Sequence, residues 1–266
     1  MTSDMHDRAA AMPTGLARAG VPAYPEGVTV VTLSYRRPDY FTRLADSLPP
    51  CGAMLLERIL VWNGGDRETA EAAERRGWTV LRGSNRSFAA GCNDAVAASA
   101  SSHVLLLSDD AEVTPATLAA LWARRAHLFV APVIVNRAGR VNSAGGGLDD
   151  DGNPVHLDRD AAMARLPADP RACRWATGAA LMLARQLWDA LGGFDEAYPG
   201  FGGYEDVDLG LRASERGVDV HVATDAVVIH DEHGTRSGCD EGPNRRRFVE
   251  TWHATGRLKR LTASAA

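Results

Sequence analysis

Apolar and polar positions fall into blocks along the first half of the chain, and the blocks alternate between two periods. Val28-Thr29-Val30-Val31-Thr32-Leu33 is a compact apolar run of the kind that forms a buried strand, and Pro38-Asp39 then opens an amphipathic segment carried through Leu44 and Leu48. Arg58-Ile59-Leu60-Val61-Trp62 predicts a second strand, broken by Asn63-Gly64-Gly65, and residues 68–76 predict a helix stopped by Gly77. Residues 78–81 predict a short third strand. An alanine-rich helix follows over Phe88–Ala98, then an apolar strand at Val104-Leu105-Leu106-Leu107 and a further helix over 114–126. Repeated strand–helix units imply an α/β fold with a mostly parallel sheet, because parallel strands need crossover connections and the crossovers cover the sheet.

The second half is less regular. Phe129–Val135 predicts a strand, but residues 136–170 are rich in Gly, Asp and Pro, including Gly145-Gly146-Gly147 and Asp149-Asp150-Asp151-Gly152-Asn153-Pro154. Apolar elements resume beyond, so this stretch predicts a hairpin or mobile flap rather than a linker. Its triple Asp lacks the spaced acids and final Glu of a calcium loop and predicts a solvated turn. Three clusters lie downstream. Trp175-Ala176-Thr177-Gly178-Ala179-Ala180-Leu181-Met182-Leu183 is a small-residue turn entering an apolar strand. Gly192-Gly193-Phe194-Asp195-Glu196 precedes Gly202-Gly203-Tyr204-Glu205-Asp206-Val207-Asp208-Leu209, and Ala226-Val227-Val228-Ile229-His230 is another apolar strand ending in a metal-ligand type of residue.

Composition narrows the class without choosing a function. With 266 residues, 45% hydrophobic and 24% charged, the chain has enough material for one large domain. A net charge of −5 argues against a nucleic-acid partner. No apolar stretch approaches a membrane span, and the first twenty residues lack the apolar core of an export signal, so 1–27 is expected to be a flexible lead-in and the protein cytoplasmic. The cysteines at 51, 92, 173 and 239 are scattered and expected to be reduced.

The chemistry concentrates where the Val104–Leu107 run ends in Ser108-Asp109-Asp110. Adjacent carboxylates at the end of a buried strand are poorly explained by packing, and in an open α/β sheet that edge is where ligands bind. A divalent cation carrying a phosphate ester fits them, since magnesium sites combine one or two carboxylates with substrate phosphates. The competing account is an acidic turn before a helix capped by Thr114-Pro115.

Several short motifs in one order are more specific than any one of them. The opening Val-Thr-Leu-Ser-Tyr-Arg-Arg segment, Asn85 through Phe88-Ala89-Ala90-Gly91-Cys92-Asn93, Ser108-Asp109-Asp110, Thr177-Gly178-Ala179, Gly193-Phe194-Asp195-Glu196, Glu205-Asp206-Val207-Asp208-Leu209 and His230 together resemble the family-two glycosyltransferases, with a rhamnosyltransferase-like, bacterial cast. The resemblance implies a GT-A, Rossmann-like fold: a mostly parallel central sheet flanked by helices, with a smaller mixed acceptor-side region. It divides the chain into a nucleotide-sugar half at 28–135, an acceptor and catalytic half at 136–235 and a basic helical tail at 236–266. The implied activity is metal-dependent, inverting transfer of a sugar from a UDP-, dTDP- or GDP-linked donor to a hydroxyl of a natural product, saccharide or lipid-linked glycan.

By the same resemblance, Asp110 and His230 hold Mg2+ or Mn2+, with His233 as second choice, and the cation stabilises the departing diphosphate. Asp206 matches the catalytic base, while Glu205 binds an acceptor hydroxyl or tunes its neighbour; acids favouring a helix N-terminus are the plain alternative, which also covers Asp208. Thr32, Tyr35, Arg36 and Asn63 would meet base and ribose, Arg86 a phosphate, and Asn93 the sugar or a loop backbone. Ser108 and Asp109 complete the donor side, although Ser108 stands where the family often has its first Asp, and Trp62 where many relatives place an Asp before the Asn. Trp175 suits either stacking on the acceptor or core packing, and Thr177 and Gly178 lie beside it. The tail carries Arg236, Arg245, Arg246, Arg247, Arg257, Lys259 and Arg260 with Phe248 and Trp252 interleaved. It is expected either to pack on the body or to meet the diphosphate or an anionic membrane surface. Two other classes stay open, a catalytically silent carbohydrate-binding protein and a sugar nucleotidyltransferase. The oligomeric state is open too, a homodimer being one arrangement.

Overall fold

The computed structural model describes residues 24–83, 85–167, 171–200, 202–231, 240 and 242–263. Its first half runs β1 (Val28–Ser34), α1 (Pro38–Ser47), β2 (Leu55–Trp62), α2 (Glu68–Arg75), β3 (Thr79–Arg82), α3 (Phe88–Ala98), β4 (His103–Ser108), β5 (Ala111–Glu112), α4 (Pro115–Ala123) and β6 (Phe129–Val135). The second half runs β7 (Val141–Ser143), β8 (Gly146–Leu148), β9 (Pro154–His156), β10 (Arg171–Cys173), β11 (Ala180–Ala184), α5 (Arg185–Leu191), α6 (Glu205–Ser214), β12 (Val220–His230), α7 (Gly242–Phe248) and α8 (Arg257–Ala263).

One sheet passes through both halves in the order β10-β12-β6-β11-β4-β1-β2-β3. The neighbours β3–β2, β2–β1, β1–β4 and β6–β12 are parallel, whereas β11 is inserted antiparallel between β4 and β6. The expected mostly parallel α/β architecture is therefore present, and strands β2, β1, β4, β6 and β12 all end at the same edge. Because side chains alternate along a strand, Val31, Val61 and Leu106 enter the layer beneath α3 and α5, while Val30, Leu60 and Leu105 enter the layer beneath α1 and α4. Burial on both faces is why these strands read as unbroken apolar runs. α3 can lie close to the sheet because it is built of small residues: a Cβ on Gly91 would come within 2.6 Å of Leu33.

The structure corrects several expected boundaries. The helix expected over 114–126 stops at Ala123, and Arg125–His127 form a single 3₁₀ turn. The two-residue strand β5 has no apolar signal of its own; it exists because it pairs with the end of β12. The segment expected as a hairpin or flap is tied into the body, with β7 laddered to β6 and β8 paired to β9. Of the lead-in, residues 1–23 lie outside the described residues, and Gly27 O accepts a hydrogen bond from His103 N at 3.0 Å.

For the tail, the packing alternative is observed. Phe248 and Trp252 are buried in a third apolar cluster with Trp175, Tyr198, Val207 and Leu211. Arg236 lies outside the described residues, while Arg247 and Arg257 pair with Asp195 and Glu215 of the body. Among the described residues Cys51, Cys92 and Cys173 are free thiols, and no helix is long and apolar enough to cross a membrane.

Candidate active site

The carboxyl ends of β1, β2, β4 and β12 surround a cleft of about 340 Å³, the place where open α/β sheets bind ligands. Asp110 follows β4 by two residues and His230 ends β12, 120 positions away in sequence. The antiparallel β5–β12 ladder joins them by setting Ala111 opposite His230. His230 Nε2 then lies 3.0 Å from Asp110 Oδ1, with only 15% and 1% of the two side chains exposed. Ser108 Oγ donates to the same carboxylate oxygen at 2.5 Å. Burial alone would raise the Asp110 carboxyl, but His230 and the Ser108 hydroxyl outweigh it and hold the group below its ordinary value. Asp109, beside it, shifts the other way: burial pushes its carboxyl up to about 7 and the charge of Asp110 adds to the rise, outweighing the opposing pull of the Ser34 hydroxyl and the Arg37 charge.

Asp206 reaches the cleft from the other side. Gly202, Gly203 and Tyr204 adopt φ values of 105°, 114° and 71°, a left-handed run that glycine tolerates and that turns the chain sharply into α6. The acids Glu205 and Asp206 consequently open the helix, as the sequence implies. Asp206 Oδ2 accepts from Gly178 N and Oδ1 accepts from Val207 N, both at 2.8 Å, so the carboxylate is aimed by two backbone amides. Asp208, two residues on and so on the opposite face of the helix, points inward instead: it pairs with Arg212 at 2.7 Å and accepts from Trp252 Nε1 at 2.8 Å. Its role is structural. Buried Asn244 of α7 donates to the carbonyls of Gly202 and Gly203 at 3.2 and 2.8 Å, so the tail pins the turn that presents Asp206.

Tyr35, Asn63, Ser108, Asp109, Asp110, Trp175, Thr177, Gly178, Glu205, Asp206 and His230 all line this cleft. Four of the expected residues do not. Thr32 lies two positions inside β1 and is wholly buried, so its side chain ends in the core. Arg36, at φ 57°, turns its guanidinium onto the Tyr35 ring, 4.9 Å from the centroid. Arg86 is engaged by Asp94 at 2.8 Å and Glu196 at 3.1 Å on the surface. Asn93 takes the loop-backbone alternative, accepting from Phe194 N at 2.9 Å and donating to Phe194 O at 3.0 Å. Trp175 is a packing residue with one edge at the cleft; its Nε1 donates to Gly147 O and its ring touches His156. His233 lies outside the described residues.

Also lining the cleft are Asn85, which the sequence marks only as the start of a motif, and Asn142, Ser143, Pro154 and His156, to which it gives no role. The last four come from the Gly/Asp/Pro-rich stretch, whose periodicity is too short to show that β7 and the β8–β9 hairpin fold back over the sheet edge.

The donor set at Asp110 and His230 suits a hard or borderline cation: one carboxylate oxygen and one imidazole nitrogen already stand 3.0 Å apart at the cleft. Among the described residues no three His, Cys, Asp or Glu side chains form a complete cage. Mg2+ and Mn2+ sites are commonly finished by substrate phosphates, so two protein ligands at the edge of an open cleft fit such an ion.

Residues 25–257 match the profile of the family described as glycosyltransferase like family 2. Over 72 residues the chain is 39% identical to the N-acetylglucosaminyl-diphospho-decaprenol L-rhamnosyltransferase of Mycobacterium tuberculosis, in both strain CDC 1551 / Oshkosh and strain ATCC 25618 / H37Rv. That match covers 27% of this chain and 23% of the length of the curated relatives. Among solved structures, GalNAc-T7 with UDP, GalNAc and Mn2+ superposes with a TM-score of 0.68 at 15% identity, covering 86% of this chain and 49% of that one, and so shares the fold.

Proposed function

Since the chain belongs to the glycosyltransferase like family 2, we propose that it is a sugar-transferring enzyme of class EC 2.4 that moves a glycosyl group, with inversion, from a nucleoside-diphosphate sugar to an acceptor hydroxyl. The observation that carries this is the meeting of Asp206 with the Asp110–His230 pair in one cleft at the carboxyl edge of the sheet. Displacement with inversion needs a proton acceptor on the side of the incoming hydroxyl and charge stabilisation on the side of the leaving diphosphate. This chain has a candidate for each.

Asp206, held by the amides of Gly178 and Val207, orients a carboxylate toward the cleft and accepts the proton of the attacking hydroxyl. Glu205, buried beside it, fixes the acceptor hydroxyl. Asp110 and His230 would hold Mg2+ or Mn2+, which when bound acts as a Lewis acid toward diphosphate oxygens. Tyr35 and Asn63, at the ends of β1 and β2, bind the base, and Asp109 faces the ribose. The donor is UDP-, dTDP- or GDP-linked, with an L-rhamnosyl group the first candidate from the mycobacterial relatives, and the acceptor is a hydroxyl on a saccharide, free or lipid-linked.

The test is calorimetric titration of UDP, dTDP, GDP and their sugar conjugates with and without Mn2+, followed by mass-spectrometric detection of sugar release. Binding should require the cation for one nucleotide class. Asp110→Asn and His230→Ala should each weaken Mn2+-dependent nucleotide binding by at least about tenfold, the lower bound for losing even an outer-sphere partner of a metal. Cation-independent binding that survives both substitutions would rule out the assigned metal pair.

A further inference from the structure

β7 pairs with β6 out of step: Val141 faces Val135, but Ser143 faces Ile134, so Asn142 is the extra residue of a β-bulge. Bulges bend a strand locally and re-aim one side chain, and they gather beside active sites. Here the re-aimed side chain lines the cleft. Asn142 is 8% exposed, yet its Nδ2 is buried without a hydrogen-bond partner. A buried amide donor left unsatisfied is costly, and native folds keep few of them. The neighbouring Ser143 shows the contrast: its hydroxyl donates to Gly145 O at 3.0 Å.

Position tells which part of a ligand Asn142 would meet. Tyr35 and Asn63 stand at the ends of β1 and β2, and Asp109 and Asp110 at the end of β4; β7 is laddered to β6, on the far side of β4 from β2. A nucleotide diphosphate laid from β2 toward the Asp110–His230 pair therefore extends its sugar toward β7. Ile134, Pro154, His156 and Trp175 line the same cleft as Asn142 and supply it with apolar and aromatic surface. Such a surface suits the C–H face of a pyranose, and a single inward N–H suits one of its hydroxyls.

We infer that Asn142 is a sugar-binding residue, its side-chain amide donating a hydrogen bond to a hydroxyl of a pyranosyl ring seated beyond the diphosphate. This rests on the proposed function and adds to it a residue, an atom and a ligand group. The hydroxyl belongs either to the transferred glycosyl group or to the acceptor saccharide, and the two sources are separable.

The experiment compares Asn142→Asp, which keeps the shape and replaces the donor by an acceptor, and Asn142→Val, which removes the polar group, with the parent. Calorimetry is run with UDP, dTDP and GDP and with their glucose and rhamnose conjugates, and transfer is measured to a panel of octyl glycosides. Both variants should bind the free nucleoside diphosphate like the parent. If the transferred sugar is the source, affinity for the nucleotide sugar falls about 3- to 10-fold; if the acceptor is the source, that affinity holds and the KM for the octyl glycoside rises by about the same factor. Asn142→Val should melt no lower than the parent, because it deletes an unsatisfied group. Equal loss of nucleoside diphosphate and nucleotide sugar, no change in any constant, or a lower Tm for Asn142→Val would each overturn the inference. A parent protein that binds none of the nucleotides would instead overturn the proposed function itself.

Discussion

Replacing Asp206 by Asn changes one atom and should separate turnover from binding. In the parent, Oδ2 accepts from Gly178 N and Oδ1 from Val207 N, each at 2.8 Å, and each oxygen keeps a further lone pair for a ligand. Asparagine can offer its single carbonyl oxygen to only one of these amides; the other then confronts an NH2 group. Loss of one charge-assisted bond to a partly buried amide costs about 1.5–3 kcal/mol of stability, which in a chain of this size is about 2–4 °C of Tm per kcal/mol. That leaves a folded protein at 25 °C. Catalysis should suffer far more, because an amide takes up no proton: a positioned general base contributes roughly 10²- to 10⁴-fold, or about 3–5 kcal/mol of barrier. Nucleotide affinity should stay within about twofold, since the hydrogen bonds of Asp206 run to the amides of Gly178 and Val207 and to none of Asp110, His230, Tyr35 or Asn63. The assay is release of nucleoside diphosphate under saturating donor, paired with calorimetric Kd and a melting curve on the same preparation. A kcat within threefold of the parent, at unchanged Kd and with the protein folded, would remove Asp206 from the role of base.

Two further outcomes follow from contacts away from the reacting atoms. Asn244→Ala deletes both hydrogen bonds from α7 to the Gly202 and Gly203 carbonyls and leaves a small void; kcat should fall about 5- to 30-fold with donor Kd unchanged, equivalent to about 1–2 kcal/mol, and an unchanged kcat would show that the turn holds its shape without the tail. His127 and His221 stack with ring centroids 3.9 Å apart, and burial, helped by Arg124 beside His127 and by His127 beside His221, depresses both. Their folded values lie below the unfolded value of about 6.5, so the unfolded chain binds more protons in acid: the stability they preserve is complete above pH 6.5 and is lost as pH falls through the folded values. Urea midpoints should therefore drop between pH 7 and 5, and His221→Phe should flatten that slope; an identical slope in the variant would exclude the pair as its source.

How far the chain alone reveals the protein differs from element to element. The strands β1, β4 and β6 and the helix α3 are plain in the sequence, because strands buried on both faces must be apolar throughout and a helix pressed against them must be small-sided. The acids at 109 and 110 stand out for the same reason inverted, since they end an apolar strand, whereas those at 205 and 206 are marked only by the family resemblance, a helix N-terminus accounting for them equally well. Arg86 and Asn93 look equally suited to a phosphate or a sugar, yet one is spent on Asp94 and Glu196 and the other on a turn backbone. Nothing local distinguishes a polar side chain that faces a ligand from one that satisfies its own fold.

The amino-acid order thus determined the layered α/β plan, the strand edge on which ligands would bind and the residue types available there, because burial and backbone hydrogen bonding act over a few residues at a time. Tertiary structure alone decided that a two-residue strand would set Asp110 against His230, that α7 would hold the turn before Asp206, and that a bulge would aim Asn142 into the cleft. The first two depend on contacts between segments about forty to more than a hundred residues apart, and the bulge on a strand pairing that its own short, polar segment does not announce; the register of each is fixed only when the sheet closes.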